Sequence, residues 1–210
     1  MRLLSWNVEN TSPGPQVAAG LTSMLVGHHP DVITLQETYR LRPTLKRWAK
    51  QHGFVLVQRR PRRGDSERAE VAILVRKHLA IRKRRTIALR SIWRGPKAGV
   101  KHDGRRYRWV LVEEDGHWWR IGCLHQPFGQ APKAESIKRV QRWFDRAPRR
   151  ASVMAGDWNM TKAVVEKRLK DVDVTGFGID LSASRHCTVK ATRLGKHGSD
   201  HHAIRYEVTR

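Results

Sequence analysis

Four short apolar runs in this chain end in side chains able to hold a metal ion or a phosphate. Leu3-Leu4-Ser5-Trp6 runs into Asn7, followed by Glu9. Val32-Ile33-Thr34-Leu35 runs into Gln36-Glu37. Ile121-Gly122-Cys123-Leu124 runs into His125, and Val153-Met154-Ala155-Gly156 into Asp157 and Asn159. A fifth group, Asp200-His201-His202, stands just ahead of the last apolar run. One acid after a strand is commonplace as a loop residue or helix cap; five such places in one chain are not. Carboxylates, amides and imidazoles gathered at one rim would be hard-oxygen chemistry. Magnesium takes one or two carboxylates plus water and substrate phosphate, which leaves imidazoles free to move protons. Zinc would need three or four His or Cys ligands, and no H-E-x-x-H or similar spacing is present. The residue types therefore point to phosphoryl chemistry with magnesium.

The elements that must position these residues follow from periodicity. Arg2 to Trp6 suits a buried strand, and Val17, Leu21, Met24 and Leu25 recur at helical spacing. Asp31 to Gln36 is the next strand, Leu41, Leu45, Trp48 and Ala49 form a second helical face, and Phe54–Val57 and Val71–Val75 return to strand character. Strands then dominate: Ile81 to Leu89, and Tyr107 to Val112 joined to Trp118–Leu124 by a hairpin turn at Glu114-Asp115-Gly116. Ala134 to Phe144 is the best helical pattern, with Ile137, Val140, Trp143 and Phe144 on one face and Pro148 as its stop. Ser152 to Ala155 is a short buried strand, and Thr161 to Leu169 a helix capped by Thr161. An irregular glycine-containing segment leads to a last strand, Ala203 to Val208. With no internal repeat and no long linker, the expectation is one α+β domain over residues 1–210, with sheets in the middle and helices outside.

Composition narrows the partners. The 210 residues carry 42 Lys plus Arg against 19 Asp plus Glu, a formal charge of +23. Such a field attracts polyanions, nucleic acid first. Three basic runs, Arg59-Arg60-Pro61-Arg62-Arg63, Arg82-Lys83-Arg84-Arg85 and Arg105-Arg106-Tyr107-Arg108, are expected in loops or on exposed strand faces, either as solvated surface or as a phosphate track. Eight tryptophans argue for a folded chain. No run approaches the roughly 20 apolar residues of a membrane span, and the start lacks a signal-peptide core, so a cytoplasmic protein is expected; a monomer is the accompanying expectation. Cys123 and Cys187 lack metal-site spacing and are expected as reduced core thiols.

The segments Leu4-Ser-Trp-Asn-Val-Glu-Asn, Leu35-Gln-Glu-Thr, Leu124-His-Gln-Pro, Gly156-Asp-Trp-Asn and Gly198-Ser-Asp-His resemble, in order, the motifs of the endonuclease/exonuclease/phosphatase superfamily. That superfamily includes deoxyribonuclease I, abasic-site endonucleases, inositol polyphosphate 5-phosphatases and neutral sphingomyelinases. The resemblance runs from residue 4 to residue 202. It implies a deoxyribonuclease I-like four-layer α/β sandwich, two mixed sheets face to face with helices outside. By the same resemblance, Glu37 is the principal metal ligand, with Asn7, Glu9 and Asp200 around the metal. Asn159 bonds the scissile phosphate, Asp157 lies close to the attacking water, and His201 is the catalytic imidazole, with His202 only the next strand residue. Asp180 stands where relatives place the acid that holds that imidazole's other nitrogen, though a turn aspartate is the other reading. His125 resembles the deoxyribonuclease I and lipid-directed branches, whereas abasic-site enzymes carry tyrosine there. Its orienting partner is Glu70 or Glu67.

The expected reaction is magnesium-dependent hydrolysis of a phosphodiester by in-line attack of water, with manganese as a substitute metal. His201, paired with Asp180, or Asp157 takes the water's proton; His125 and Asn7 contact phosphate oxygens. The expected substrate is nucleic acid, DNA first, cut with low sequence specificity because backbone contacts carry no sequence information. Tyr39 and Arg40, following Gln36-Glu37-Thr38, are the candidates for reaching into a groove. The alternative on the same frame is a phosphatase or phosphodiesterase of phosphoinositides or lipid head groups. A binding protein without catalysis is disfavoured, since every matching position holds a competent residue.

Overall fold

In a computed structural model, residues 1–9, 12–59, 70–88, 106–127 and 130–210 are described. They form strands β1 (Arg2–Asn7), β2 (Val32–Gln36), β3 (Phe54–Val57), β4 (Val71–Arg76), β5 (Ala80–Ala88), β6 (Arg106–Glu114), β7 (His117–His125), β8 (Ala151–Asp157), β9 (Asp173–Phe177), β10 (Asp180–Arg185), β11 (Thr188–Arg193) and β12 (Ile204–Thr209). The α-helices are α1 (Gly14–His28), α2 (Arg42–Gln51), α3 (Gln130–Asp145) and α4 (Lys162–Arg168).

The strands make two mixed six-stranded sheets, ordered β11-β12-β1-β2-β4-β3 and β5-β6-β7-β8-β10-β9. Alternation decides which face each side chain joins. Leu3, Val32, Ile73 and Tyr206 of the first sheet meet Val110, Ile121, Cys123 and Val153 of the second in the layer between them. Their sequence neighbours turn outward. Leu4, Trp6, Ile33 and Leu74 pack beneath α1 and α2 through Val17, Leu21, Leu45 and Trp48. Trp109, Leu124, Met154 and Leu181 pack beneath α3 and α4 through Val140, Trp143, Phe144 and Val165. The result is the expected four layers, helices, sheet, sheet and helices. Both cysteines are free and buried, and burial pushes the Cys123 thiol up to about 12.

Each sheet contains one parallel pair: β1 with β2, and β7 with β8. A helix bridges each pair, α1 in the first sheet and α3 in the second, as parallel connections require. Register sets Asn7 beside Gln36 and His125 beside Asp157, so both pairs end level. The two pairs also lie across from one another, with β2 packed on β7 and β8, and β1 on β8. The carboxyl ends of parallel strands are where open α/β sheets expose unpaired polar groups to ligands. Here two such ends face each other at one rim. Gly156 makes the close β7–β8 approach possible: its φ is 148°, and a Cβ there would stand 1.9 Å from the Leu124 carbonyl oxygen.

Most predicted elements are observed within one to four residues of their expected ends. Leu89, the expected end of one strand, lies outside the described residues. The Asp115-Gly116 turn has φ of 50° and 74°, the two left-handed residues of a two-residue hairpin. The segment read as irregular is instead three strands, β9 to β11. Ser182 and Ser184 of β10 are buried by their neighbours in the sheet, a context that local propensity does not contain. His202 precedes β12 rather than lying within it. Arg108 also departs from expectation. It is buried, turned into the layer between the sheets by the alternation of β6, and its Nη2 is 3.4 Å from the Oε1 of buried Glu70. Such an internal charge needs its partner, so Arg108 is no part of an exposed track.

Candidate active site

At the facing strand ends, the Asn7 amide lies between two carboxylates: its Nδ2 is 3.2 Å from Asp157 Oδ2 and 3.5 Å from Glu37 Oε1. His125 Nε2 is 3.6 Å from those same two oxygens. One amide and one imidazole thus hold together acids from different sheets. The Oδ1 of Asn7 accepts from the Glu9 main-chain N–H at 3.1 Å, which fixes the amide's orientation. Asn159 donates its main-chain N–H to Asp157 Oδ1 at 2.9 Å and its Nδ2 to the Gln126 carbonyl at 2.8 Å.

Three residues of this cluster, Glu9, Glu37 and Asn159, have φ of 55°, 60° and 46°. Left-handed backbone is unfavourable for residues with a Cβ, and such strain gathers at sites where structure over-determines it. Glu37 comes one residue after a strand, and Glu9 and Asn159 two, so these left-handed residues belong to the turns by which β1, β2 and β8 leave their sheets.

The second half of the site hangs on β10 and the loop before β12. Asp180 is the register partner of Asp157, and its Oδ2 and Oδ1 lie 3.0 and 3.1 Å from His201 Nδ1. Ser199 locks this loop to β1: its Oγ donates to the Asn7 carbonyl at 2.6 Å and accepts from the His201 N–H at 3.1 Å. Burial alone would lower the His201 pKa, but the Asp180 hydrogen bond and charge, helped by Asp157 and Asp200, raise it to about 9. Because that value lies above the ordinary imidazole 6.5, the pair contributes stability that is complete below about 6.5 and is lost as pH rises through about 9. In metal-free protein the His201 ring should titrate near 9 by NMR. Asp180→Asn should bring the midpoint down by roughly 1 to 3 pH units. An unmoved midpoint would remove Asp180 as the source of the shift.

Other residues read from the sequence lie at the margin. Asp200 is exposed, with Oδ1 3.8 Å from His201 Nε2 and 3.3 Å from Ser199 Oγ. Tyr39, half-buried, and Arg40, exposed, occupy a short 3-10 turn, Tyr39–Leu41, one residue beyond Glu37. His202 turns away and bonds the Leu194 carbonyl through Nδ1 at 2.8 Å. Of the two acids considered for orienting His125, Glu70 faces Arg108, and Glu67 lies outside the described residues. Arg60 to Arg63 and Arg105 lie outside them as well. Arg82, Lys83, Arg84 and Arg85 are exposed on β5, an edge strand. Sequence reading missed Ser199 and Gln126. Ser199 stood inside a motif already noticed, whereas Gln126 acts through its main chain, which side-chain chemistry does not reveal.

The carboxylates of Glu37 and Asp157 are hard-oxygen donors, and two of them brought together by one amide N–H group and one imidazole fit a magnesium ion completed by water and phosphate. Among the described residues no three His, Cys, Asp or Glu side chains form a preformed metal cage. Among them also, no helix is long and apolar enough to cross a membrane.

Residues 4–171 match the Endonuclease/Exonuclease/phosphatase family. No curated protein matches the chain by sequence. Among solved structures, a D. rerio TDP2 humanized by 14 mutations is similar, with TM-score 0.79 and 18% identity over 100% of this chain and 99% of that one. D. rerio TDP2 complexed with a single-strand DNA product gives 0.77 and 17%, over 100% and 99%. The mannosyl-6-phosphatase of Bacteroides thetaiotaomicron gives 0.74 and 16%, over 100% of both chains. At such identities the likeness establishes the fold, and the family match covers most of the chain. The chain belongs to the endonuclease/exonuclease/phosphatase family.

Proposed function

We propose that this protein is a magnesium-dependent phosphodiesterase that hydrolyses the backbone of nucleic acid, DNA first, by in-line attack of water. The observation that carries the reading is the meeting of Glu37, Asp157, Asn7 and His125 at the facing ends of two parallel strand pairs, with the His201–Asp180 pair beside them. Glu37, with Asp157 and Asn7 near it and Asp200 and Glu9 at the margin, would hold the metal, with manganese as a substitute. Bound there, magnesium would supply positive charge to offset the negative charge that develops on the phosphate oxygens. Asn159 offers the phosphate its second amide hydrogen, and His125 offers Nε2. Asp180 holds His201 by Nδ1 and so leaves Nε2 to exchange a proton with water or phosphate. The water's proton goes to His201 or to Asp157, and the oxygen displaced from phosphorus takes a proton in return.

Charge supports the substrate. The chain carries +23, and one solved neighbour of the same fold was determined with a single-strand DNA product. The register of β5 sets Arg85 level with Trp109 and Gly122, three positions short of the strand end that bears His125, with Arg84, Lys83 and Arg82 farther back. Tyr39 and Arg40, in the short 3-10 turn that follows Glu37 and Thr38, would meet the strand being cut. Each phosphate engaged on duplex DNA should contribute about −0.9 to the slope of log affinity against log salt. Neutralising Arg82, Arg84 and Arg85 together should make that slope shallower and raise KM, with saturated turnover nearly unchanged, since such contacts hold ground and transition states alike. Arg82 already pairs with Glu113 at 3.1 Å, so most of the change should come from Arg84 and Arg85. An identical salt response would reduce this cluster to solvated surface.

A small phosphate ester is the second reading, favoured by the mannosyl-6-phosphatase neighbour, and it includes the soluble head groups of phosphoinositides. The separating experiment offers supercoiled plasmid, single-stranded oligonucleotide, structured RNA and a soluble inositol phosphate to the purified protein, with magnesium or EDTA. Metal-dependent nicking of the plasmid supports the first reading. Hydrolysis of the inositol phosphate alone would replace it with the second.

A further inference from the structure

The turn after β8 presents Asn159 with a left-handed φ of 46°, which asparagine tolerates better than most residues but whose aim toward the site still needs support. The support comes from α3, the helix that bridges β7 to β8. In its first turns, where Pro132 costs no hydrogen bond, α3 carries Lys133 and Ser136 back over the strand ends. The Lys133 ammonium donates to the main-chain oxygen of Asn159 at 2.6 Å, a short charge-assisted bond. Among the described residues Lys133 has no carboxylate partner, so its charge is directed at this carbonyl. Buried Ser136 donates its hydroxyl to Gln126 Oε1, while Gln126 uses its main chain on the same turn: its N–H bonds the Asp157 carbonyl at 2.8 Å, and its oxygen accepts Asn159 Nδ2. The left-handed peptide is thus gripped on both sides. One grip holds the carbonyl and the other sets the side-chain amide.

We infer that Lys133 is a positioning residue for Asn159: it locks the left-handed peptide so that the amide held by Gln126 stays aimed at the phosphate site. The inference rests on the reading of Asn159 as a phosphate ligand, and its bonds can be tested apart from that reading. A displaced catalytic group costs rate rather than affinity, because its contact matters most at the transition state. Lys133→Met, which keeps length and loses the donor, should lower kcat by about 10- to 100-fold with KM changed less than about twofold. Lys133→Arg, which keeps a charged donor, should recover most of the loss. In an Asn159→Ala background the same Lys133→Met change should leave kcat unaltered, because there is no amide left to aim.

Hydrogen exchange supplies a readout independent of turnover. The Asn159 N–H, bonded to Asp157 Oδ1, should exchange faster in Lys133→Met while the amides of β7 and β8 keep their protection. If Lys133→Met fails to fold, Lys133→Gln, a neutral donor, carries the same measurements with smaller changes. Multiplying effects in the double variant, or unchanged exchange at Asn159, would overturn the inference. Were the wild-type protein inert toward every phosphate ester, the functional reading would fall, and the exchange result alone would decide the role of Lys133.

Discussion

Glu37→Gln should leave the fold intact and lower phosphate-ester hydrolysis by at least about two orders of magnitude. Gln keeps the volume of Glu37 and can still accept from Asn7 Nδ2, which lies 3.5 Å from Oε1. What it removes is the charge that Glu37 brings to the two-carboxylate cluster. A hard cation depends on that charge, so the variant should need more magnesium for half-maximal rate as well as turning over more slowly. Initial rates across a magnesium titration, with urea unfolding as the fold control, make the check. Near-normal activity at limiting magnesium would remove Glu37 from the site. A loss of activity accompanied by unfolding would instead make its role structural, arising from the left-handed turn at φ 60°.

The second large effect separates two adjacent histidines. His201→Ala should reduce hydrolysis by about 10²–10⁴-fold, the usual contribution of a positioned acid or base. His202→Ala should retain near-normal turnover and cost about 1 kcal/mol of stability, the worth of one hydrogen bond. The difference is directional. The His201 ring meets Asp180 on β10, whereas the His202 ring turns to the Leu194 carbonyl on its other side. Neighbours in extended chain face opposite ways, so one member of the pair enters the site and the other seals the loop. Equal losses in both variants would mean that the loop, rather than one imidazole, is what the reaction needs.

Much of this molecule was legible in the chain itself. Leu3, Leu4, Val153 and Met154 alternate as buried strands do, and Ile137, Val140, Trp143 and Phe144 recur as a helix face does, because backbone geometry imposes periods of 2 and 3.6 on whatever must be buried. Asn7, Glu37, His125, Asp157 and Asn159 were visible as polar residues where apolar runs stop. Their order in the chain was enough to show the family resemblance. These are local properties, carried by neighbouring residues.

What the chain alone left open depends on which strands become neighbours. Asn7 and Asp157 are 150 positions apart and meet only because two parallel strand pairs end level and face each other. Asp180 reads as a turn aspartate or an orienting acid until β10 pairs with β8 and sets it against His201. Arg108 reads as surface charge until the pleat of β6 turns it inward onto Glu70. Strands β9 to β11 were missed because sheet partners, not a pattern of their own, hold them: β10 buries Ser182 and Ser184, while β9 and β11 leave most of their residues exposed or half-buried. Lys133 carries no spacing signal at all, since its partner is a main-chain oxygen that every residue possesses. Composition and periodicity determined the elements and the kind of chemistry. Register, sheet stacking and main-chain hydrogen bonds, which join residues far apart in sequence, decided which groups meet and in what orientation.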